Sequence, residues 1–554
     1  MRKFKIIFRP DNLTVEAEEG KTVLDAAVSA GIDINSSCGG EGTCGKCKVR
    51  VLKGAPDILT SGLISPRERK NKVFPACLTV IRGDLEIEVP ENSRAAFDAF
   101  TAEEPSGIMP ETKEGEFKRS PLFASPKGSV FNFGFSFDIG TTTVAGQLTD
   151  LNTGKILGTK ISGNRQAAFG SDIITRIVYA EKPGGLKKLN RAVLESMGRI
   201  IESLAEENKI PLKEIHGILC SGNTTMIHLL LKIDPAWIRR QPQLSVPSFP
   251  TLTAKKAGIK INPAGILKCI PGVSGYIGGD TVSGVLAAGF YREEPLCMLI
   301  DIGTNGEIVL GSREYLAACA ASAGPAFEGS GLSCGMRAVS GAIQKVEIDS
   351  KTFKSAYLTV SGDPARGICG SGYIDLLSEM LQRGIIDKNG KISAEGKHIR
   401  STDNGKEFIV VSGEETRAGQ DIVVSETDIE NLKRSKGAVY SACAVLARHL
   451  SLDLSAVSRI FISGGFGSRL DIEKAVRIGL LPDLPREKFI FLGNSSLSGC
   501  RKILLSQDAL KEAFSIASRI TYFDLASDPG YMEEYGRALF FPHTDLDKFP
   551  TVKF

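Results

Sequence analysis

One short pattern occurs twice in this 554-residue chain and constrains its fold more than any other feature. Phe137-Asp138-Ile139-Gly140-Thr141-Thr142 closes an apolar run, and Ile300-Asp301-Ile302-Gly303-Thr304-Asn305 repeats it with its Asp 163 residues after the first. Each copy is followed by a second echo, Ile218-Leu219-Cys220-Ser221-Gly222-Asn223 and then Ile460-Phe461-Ile462-Ser463-Gly464-Gly465. An apolar stretch broken by a glycine-rich polar turn reads as a strand entering a tight turn. The same two turns in the same order predict two related α/β halves. The length exceeds what one hydrophobic core supports, so about three or four compact units are expected. Hydrophobic residues at 42% and charged residues at 24% are those of a folded globular protein, and a net charge of +4 lacks the clustered basic footprint of a nucleic-acid binder.

Each Asp-Ile-Gly-Thr turn sets a carboxylate at a strand end with glycine and hydroxyl residues just beyond it. Backbone N–H groups and hydroxyls there can meet phosphate oxygens, while the Asp holds Mg2+ directly or through water. A single copy also fits a β-hairpin with a polar turn; two copies can clamp one polyphosphate. A third segment, Arg459-Ile460-Phe461-Ile462-Ser463-Gly464-Gly465-Phe466-Gly467-Ser468, is a strand ending in glycines whose bare backbone could lie against adenosine. Together they resemble the phosphate-1, phosphate-2 and adenosine motifs of the superfamily of actin, sugar kinases and heat-shock 70 ATPases. The resemblance implies ATP with Mg2+ bound by Gly140, Thr141, Thr142 and Thr143, by Gly303, Thr304 and Asn305, and by Ser463, Gly464 and Gly465. It makes Asp138 and Asp301 the catalytic pair that organises metal and attacking water, with Asp301 orienting the water. Asp280, ahead of the apolar run Thr281–Phe290, reads either as facing the nucleotide or as a helix N-cap. Ser221-Gly222-Asn223-Thr224 reads either as a nucleotide-side loop or as a strand-to-helix turn. Cys319, Cys334 and Cys369 are expected as small buried residues, and His228 and Trp237 as core packing.

Twelve cysteines are present, and one group is clustered: Cys38, Cys44 and Cys47 give Cys-x5-Cys-x2-Cys, and Cys77 follows after 29 intervening residues. Four thiolates are what a [2Fe–2S] centre needs. The intervening glycines suit a loop that brings backbone N–H groups close to sulfur. Zinc sites more often use two short cysteine pairs. The plant-type spacing has four residues in the first gap where this chain has five, and the segment resembles the adrenodoxin-like branch of β-grasp [2Fe–2S] ferredoxins, over residues 1–90. That resemblance implies a one-electron carrier.

Around the cluster, strands are expected at Lys3–Phe8, Thr14–Ala17, Lys48–Leu52 and Leu85–Val89, with a helix from Val23 to about Ala30. Thr22 and Asp25 can cap that helix, and Gly31 can end it. From Glu91 to about Gly128 the composition turns to Pro, Ser, Glu, Lys and Ala without apolar periodicity, which reads as a linker. The expected division is therefore a ferredoxin domain at 1–90, a linker at 91–130, a middle α/β domain at 131–207 with the first phosphate motif, and a C-terminal ATPase domain at 208–554. The fold class is multidomain α/β: a β-grasp ferredoxin and duplicated actin-like, ribonuclease-H-like domains. Neither a signal-peptide core nor an apolar run of membrane-spanning length is found, so a cytoplasmic location is expected.

A ferredoxin, a linker and such an ATPase in one chain resemble the reductive activators of corrinoid-dependent methyltransferases of anaerobic one-carbon metabolism. Gly170-Ser171-Asp172-Ile173-Ile174-Thr175-Arg176-Ile177, Ser221-Gly222-Asn223-Thr224-Thr225-Met226, Gly324-Pro325-Ala326-Phe327-Glu328-Gly329 and Cys334-Gly335-Met336-Arg337-Ala338 carry the likeness. It implies ATP-dependent transfer of one electron from the cluster to Co(II) of a corrinoid protein, regenerating Co(I). It also implies an electron donor still to be identified and a possible homodimer, with neither nucleic acid nor membrane as partner. An ATP-driven activator of a dehydratase or ring reductase, a metabolite kinase with a redox-sensing domain, and a non-enzymatic actin-like or chaperone-like module whose partner binding the cluster regulates are the other readings.

Overall fold

The computed structural model describes the chain apart from residues 1, 33, 35, 37–39, 41, 43–44, 60–63, 91–92, 95–99, 102–116, 124–131, 242, 247, 404, 417–418, 465–469 and 554. It divides into two compact units, one of Met1–Glu104, Arg119–Gly279 and Ile503–Gln507, the other of Pro105–Lys118, Asp280–Lys502 and Asp508–Phe554. No helix among the described residues is long and apolar enough to cross a membrane.

The first unit begins with the ferredoxin domain. Strands β1 (Lys3–Arg9), β2 (Leu13–Glu18), β3 (Lys48–Lys53), β4 (Val73–Pro75) and β5 (Leu85–Glu88) form a sheet in the order β2-β1-β5-β3-β4. β1 pairs antiparallel with β2 and parallel with β5, and helix α1 (Val23–Ser29) buries Val23, Leu24, Ala26 and Ala27. This is the β-grasp arrangement. Thr22 and Asp25 cap each other reciprocally as a capping box, and Gly31 takes φ +75°, as the sequence led us to expect.

The same unit contains a seven-stranded sheet built on β6 (Phe133–Ile139), β7 (Thr143–Asp150), β8 (Ile156–Gly163), β9 (Ile215–Gly222) and β10 (Ile266–Cys269). Its helices α2 (Ile173–Glu181), α3 (Gly185–Glu207) and α4 (Thr224–Leu231) follow β8 and β9. β6 and β7 run antiparallel, as do β7 and β8, whereas β9 joins β6 parallel and β10 joins β9 parallel. The short strand Phe100–Thr101, inside the segment expected as linker, pairs with β8 at the sheet edge. The boundary expected at 207/208 is corrected here. β9 follows it yet lies hydrogen-bonded between β6 and β10, so the sheet cannot be cut there, and the division falls at Gly279/Asp280.

The second unit repeats the plan after helix α5 (Gly279–Ala288). β11 (Cys297–Ile302), β12 (Gly306–Gly311) and β13 (Leu316–Ala321) are consecutive antiparallel strands; β14 (Arg459–Ser463) joins β11 parallel, and β15 (Phe489–Gly493) joins β14 parallel. The strand orders β8-β7-β6-β9-β10 and β13-β12-β11-β14-β15 are identical in topology and direction. Its largest core packs the sheet against helix α6 (Glu426–His449), whose Val439, Ala442, Val445 and Leu446 are fully buried. The two halves announced by the repeated turns are thus two copies of one sheet.

Candidate cluster and nucleotide sites

Cys38 and Cys44 lie outside the described residues. The other two candidate ligands are buried and adjacent: Cys47 just before β3 and Cys77 just after β4 place their sulfurs 3.4 Å apart. A disulfide would bring them to ~2.05 Å, whereas two thiolates on one tetrahedral metal at ~2.3 Å stand about 3.8 Å apart. The spacing suits shared metal ligation. The segments are held together by the Ala76 N–H donating to the Cys47 carbonyl at 2.7 Å. In the intervening loop Gly42 has φ +73°, and a Cβ there would come within 2.8 Å of Leu78 Cδ2, so this position is closed to other residues. The two described cysteines therefore fit shared ligation of one metal of an iron–sulfur cluster.

In the first unit Asp138 stands near the end of β6, and the turn that follows is closed by the Gly140 N–H donating to the Thr143 carbonyl at 2.9 Å. This turn joins antiparallel β6 and β7, so the backbone is the hairpin of the alternative reading. The turn is braced from behind. Asn164 Nδ2 donates to the Gly140 carbonyl at 2.8 Å, and the fully buried Arg176 donates to the Thr141 carbonyl at 2.6 Å and the Gly170 carbonyl at 2.8 Å. Ser221 pairs in register with Asp138, and Asn223 caps α4 by accepting from the Thr225 N–H, so this segment is a strand-to-helix turn that also borders the Asp138 strand end.

The second unit repeats this juxtaposition: Asp301 near the end of β11 pairs in register with Ser463 of β14. Ser463 Oγ lies 3.2 Å from Asp301 Oδ2 and 2.6 Å from Ser495 Oγ. Ser463 Oγ also lies 3.2 Å from the Gly493 carbonyl, so the carboxylate and this carbonyl are both acceptors within reach of its one proton. The Gly303 N–H donates to the Asn305 carbonyl at 3.0 Å, and Thr304 Oγ1 donates to Glu328 Oε2 at 2.8 Å. Gly464 takes φ +119° and passes so close to Ile302 that a Cβ would lie 2.2 Å from its carbonyl oxygen. Gly465 lies outside the described residues.

Asp280 is not an N-cap. Helix α5 already includes Gly279, and Asp280 sits in its first turn, where its Oδ1 accepts from the Thr281 N–H. Together with Asp301 it faces Glu307, a residue the sequence reading passed over. Glu307 opposes Asp301 across the β11–β12 pair, and burial with the charges of Asp280 and Asp301 pushes its carboxyl well above the ordinary range. Glu328 and Arg337 were noted only as parts of longer segments. Burial lowers the Arg337 guanidinium, and the Glu328 carboxylate beside it opposes that shift. His228, Cys319 and Cys369 are buried as expected, but Trp237 is 48% exposed and does not pack the core.

Three family models cover this chain in order: the 2Fe-2S iron-sulfur cluster binding domain over residues 6–82, the RACo middle region over 133–293, and the C-terminal domain of RACo, the ASKHA domain, over 295–553. Across the whole length, a solved structure titled reductive activator for corrinoid, iron-sulfur protein superposes with a TM-score of 0.76 at 38% identity, covering 99% of this chain and 100% of that one. The chain belongs to the RACo family. Among family relatives, the corrinoid activation enzyme RamQ of Eubacterium limosum is 33% identical over 414 residues, 73% of this chain and 69% of that protein. The [Co(II) methylated amine-specific corrinoid protein] reductase of Methanosarcina barkeri is 25% identical over 425 residues, 70% and 73% of the two chains. The seam between the middle and C-terminal family models, 293/295, also falls well beyond the expected 207/208.

Proposed function

We propose that this protein is an ATP-dependent reductive activator that passes one electron from its [2Fe–2S] cluster to Co(II) of a corrinoid protein, returning it to Co(I). The observation that carries the reading is the full-length agreement with a reductive activator, cluster domain and both ATPase lobes included. The cluster, held by Cys38, Cys44, Cys47 and Cys77, supplies electrons singly. A plant-type cluster near about −400 mV is a weak donor to a lower-potential cobalt, and each 100 mV uphill costs about 2.3 kcal/mol per electron. Coupling between binding sites is typically worth ~1–3 kcal/mol, so ATP binding or hydrolysis can offset a gap of that order.

The chain's own residues supply the positioning that phosphoryl transfer needs. The Gly140–Thr143 and Gly303–Asn305 turns hold phosphate, and Ser463-Gly464-Gly465 lies against adenosine. Asp138 holds Mg2+, and Asp301, 3.2 Å from the Ser463 hydroxyl, directs the attacking water. Arg176, bonded to the Thr141 carbonyl, fixes the backbone of the first turn, on which the phosphate is held. The corrinoid protein belongs to a methyltransferase system, and the location is cytoplasmic.

The test is anaerobic spectroscopy of a Co(II) corrinoid protein mixed with reduced activator, with and without Mg-ATP. The Co(I) band is expected only with ATP, and is lost in Asp301→Ala and in Cys47→Ala. ATP consumption with no reduction of any corrinoid partner would reject the reading and favour the dehydratase-type or kinase alternatives.

A further inference from the structure

The phosphate turn of the first unit and the loop that carries the cluster cysteines are fastened to the same short segment. Three successive carbonyls of the turn are held from behind. Gly140 accepts from Asn164 Nδ2 at 2.8 Å, Thr141 from Arg176 Nη2 at 2.6 Å, and Thr142 from the Asn164 N–H at 2.9 Å. Asn164 is also the N-cap of the short helical turn Arg165–Phe169, its Oδ1 accepting from the Gln166 N–H. At the far end of that turn, Arg176 Nε donates to the Gly170 carbonyl at 2.8 Å. Residues 164–170 thus form a bracket joined to the phosphate turn at both ends, directly through Asn164 and by way of Arg176.

The middle of the bracket meets the ferredoxin domain. Ser36, two residues before Cys38, is fully buried, and its Oγ donates to the Ala168 carbonyl at 2.7 Å. Val28 of α1 packs on the core of the same lobe, a contact that does not use this hydroxyl. The bracket is stiff. Gln166 Nε2 donates to the Leu189 carbonyl of α3 at 3.0 Å and the Arg165 N–H to Ser196 Oγ at 3.1 Å, and Asn164, Gln166 and Arg176 are fully buried. A buried, hydrogen-bonded segment carries a displacement from one end to the other, where a loose loop would absorb it.

We propose that residues 164–170 couple nucleotide at the first phosphate turn to the redox state of the cluster through the Ser36–Ala168 hydrogen bond, with Ser36 the positioning residue of the cluster loop, an inference that rests on the cluster and nucleotide assignments above. Hydrogen bonds to the sulfurs and exposure to solvent set the potential of such a cluster, and a shift of the loop at Ser36 changes both. The coupling is reciprocal: whatever nucleotide does to reduction of the cluster, reduction does to nucleotide affinity. Its direction follows from the uphill step. For nucleotide to assist transfer to a lower-potential acceptor, it must favour the oxidised cluster and so make the reduced one a stronger donor.

The test is an anaerobic spectroelectrochemical titration of the cluster in the intact protein, with Mg2+ alone and with Mg2+ and saturating imido analogue of ATP, which is not hydrolysed. In the wild type the analogue is expected to bind the oxidised protein about tenfold more tightly than the reduced one, which is a potential more negative by about 59 mV for a one-electron couple. Ser36→Ala is expected to lose most of that shift with the cluster spectrum unchanged. Asn164→Asp keeps the cap on Gln166 but removes the donor to the Gly140 carbonyl, and is expected to lose the shift from the nucleotide end. A hydroxyl that merely packed the cluster loop would not be matched by a change at the other turn. Should Ser36→Ala fail to assemble the cluster, Asn164→Asp decides alone. No shift in the wild type, or an undiminished one in either variant, as the nucleotide's field acting through space would give, would overturn the proposal. No corrinoid protein enters the measurement: a coupled shift without Co(I) formation would count against the activator reading and leave the bracket standing, and Co(I) formation without a shift would do the reverse.

Discussion

Gly464→Ala tests whether the end of β14 holds the Asp301 strand in place. The glycine has φ +119°, and an added Cβ would fall 2.2 Å from the Ile302 oxygen and 3.0 Å from its carbonyl carbon. Both are backbone atoms of the strand carrying Asp301, so no side-chain rotation relieves the clash. The backbone conformation costs about 1–3 kcal/mol for a residue with a side chain, and forcing volume into a packed site adds about 1–3 kcal/mol. The expected destabilisation is therefore about 2–6 kcal/mol. Relief must come from β11 and β14 moving apart, and with Asp301 in the proposed water-directing role an ångström of displacement costs about 10²-fold in rate. Gly384→Ala is the control: it has φ +65° with nothing within 4 Å, so it reports the conformational cost alone. The assays are thermal unfolding by far-UV circular dichroism and steady-state ATP turnover, with the visible cluster spectrum to show the ferredoxin domain intact. If Gly464→Ala matches Gly384→Ala in both stability and turnover, the close approach does not position Asp301 and the argument fails.

Three further outcomes are expected. Glu307 carries a raised carboxyl pKa, so its ionisation opposes folding as pH rises from its unfolded value near ~4.3, each unit of elevation costing ~1.36 kcal/mol. Without Mg2+, Glu307→Gln should melt higher than wild type at pH 8 and not at pH 4, while ATP turnover falls; equal melting at pH 8 would show that the three carboxylates do not repel. Glu534, held down to about 2 chiefly by a hydrogen bond with His543 and by Lys548, contributes stability above its unfolded value that is lost as pH falls towards 2. Screening at Lys548, 35% exposed, brings the full ~3 kcal/mol to about 1–2, so Glu534→Gln should lower the urea midpoint at pH 7 and little at pH 2; a loss independent of pH would refute it. Cys47→Ser should abolish the cluster's visible absorbance and leave ATP hydrolysis intact, and a retained cluster spectrum would displace Cys47 as a ligand.

Much of this molecule was legible because its signals are short-range. The capping box at Thr22 and Asp25, the alternation of Leu85–Glu88, and the turns at Gly140 and Gly303 depend on residues within a few positions of each other. The duplication was legible for the same reason, since each copy carries its own Asp turn and Ser turn. The Trp237 error has the converse origin: a large aromatic residue in isolation says nothing about what packs on it.

What the linear chain by itself determined is the inventory: four cysteines at a spacing that suits a cluster and two copies of an Asp-Ile-Gly-Thr turn. Only the tertiary structure decided which distant groups converge on them. Arg176 reaches the Thr141 carbonyl across 35 positions, Ser463 reaches Asp301 across 162, and Glu307 becomes a carboxylate among carboxylates because β11, β12 and α5 meet. The place where the chain divides is of the same kind. Insertion of β9 between β6 and β10 closes the first lobe beyond residue 208. Sheet order is set by which strands bury one another's faces, a free energy summed over the whole lobe, and no local window of sequence contains that sum.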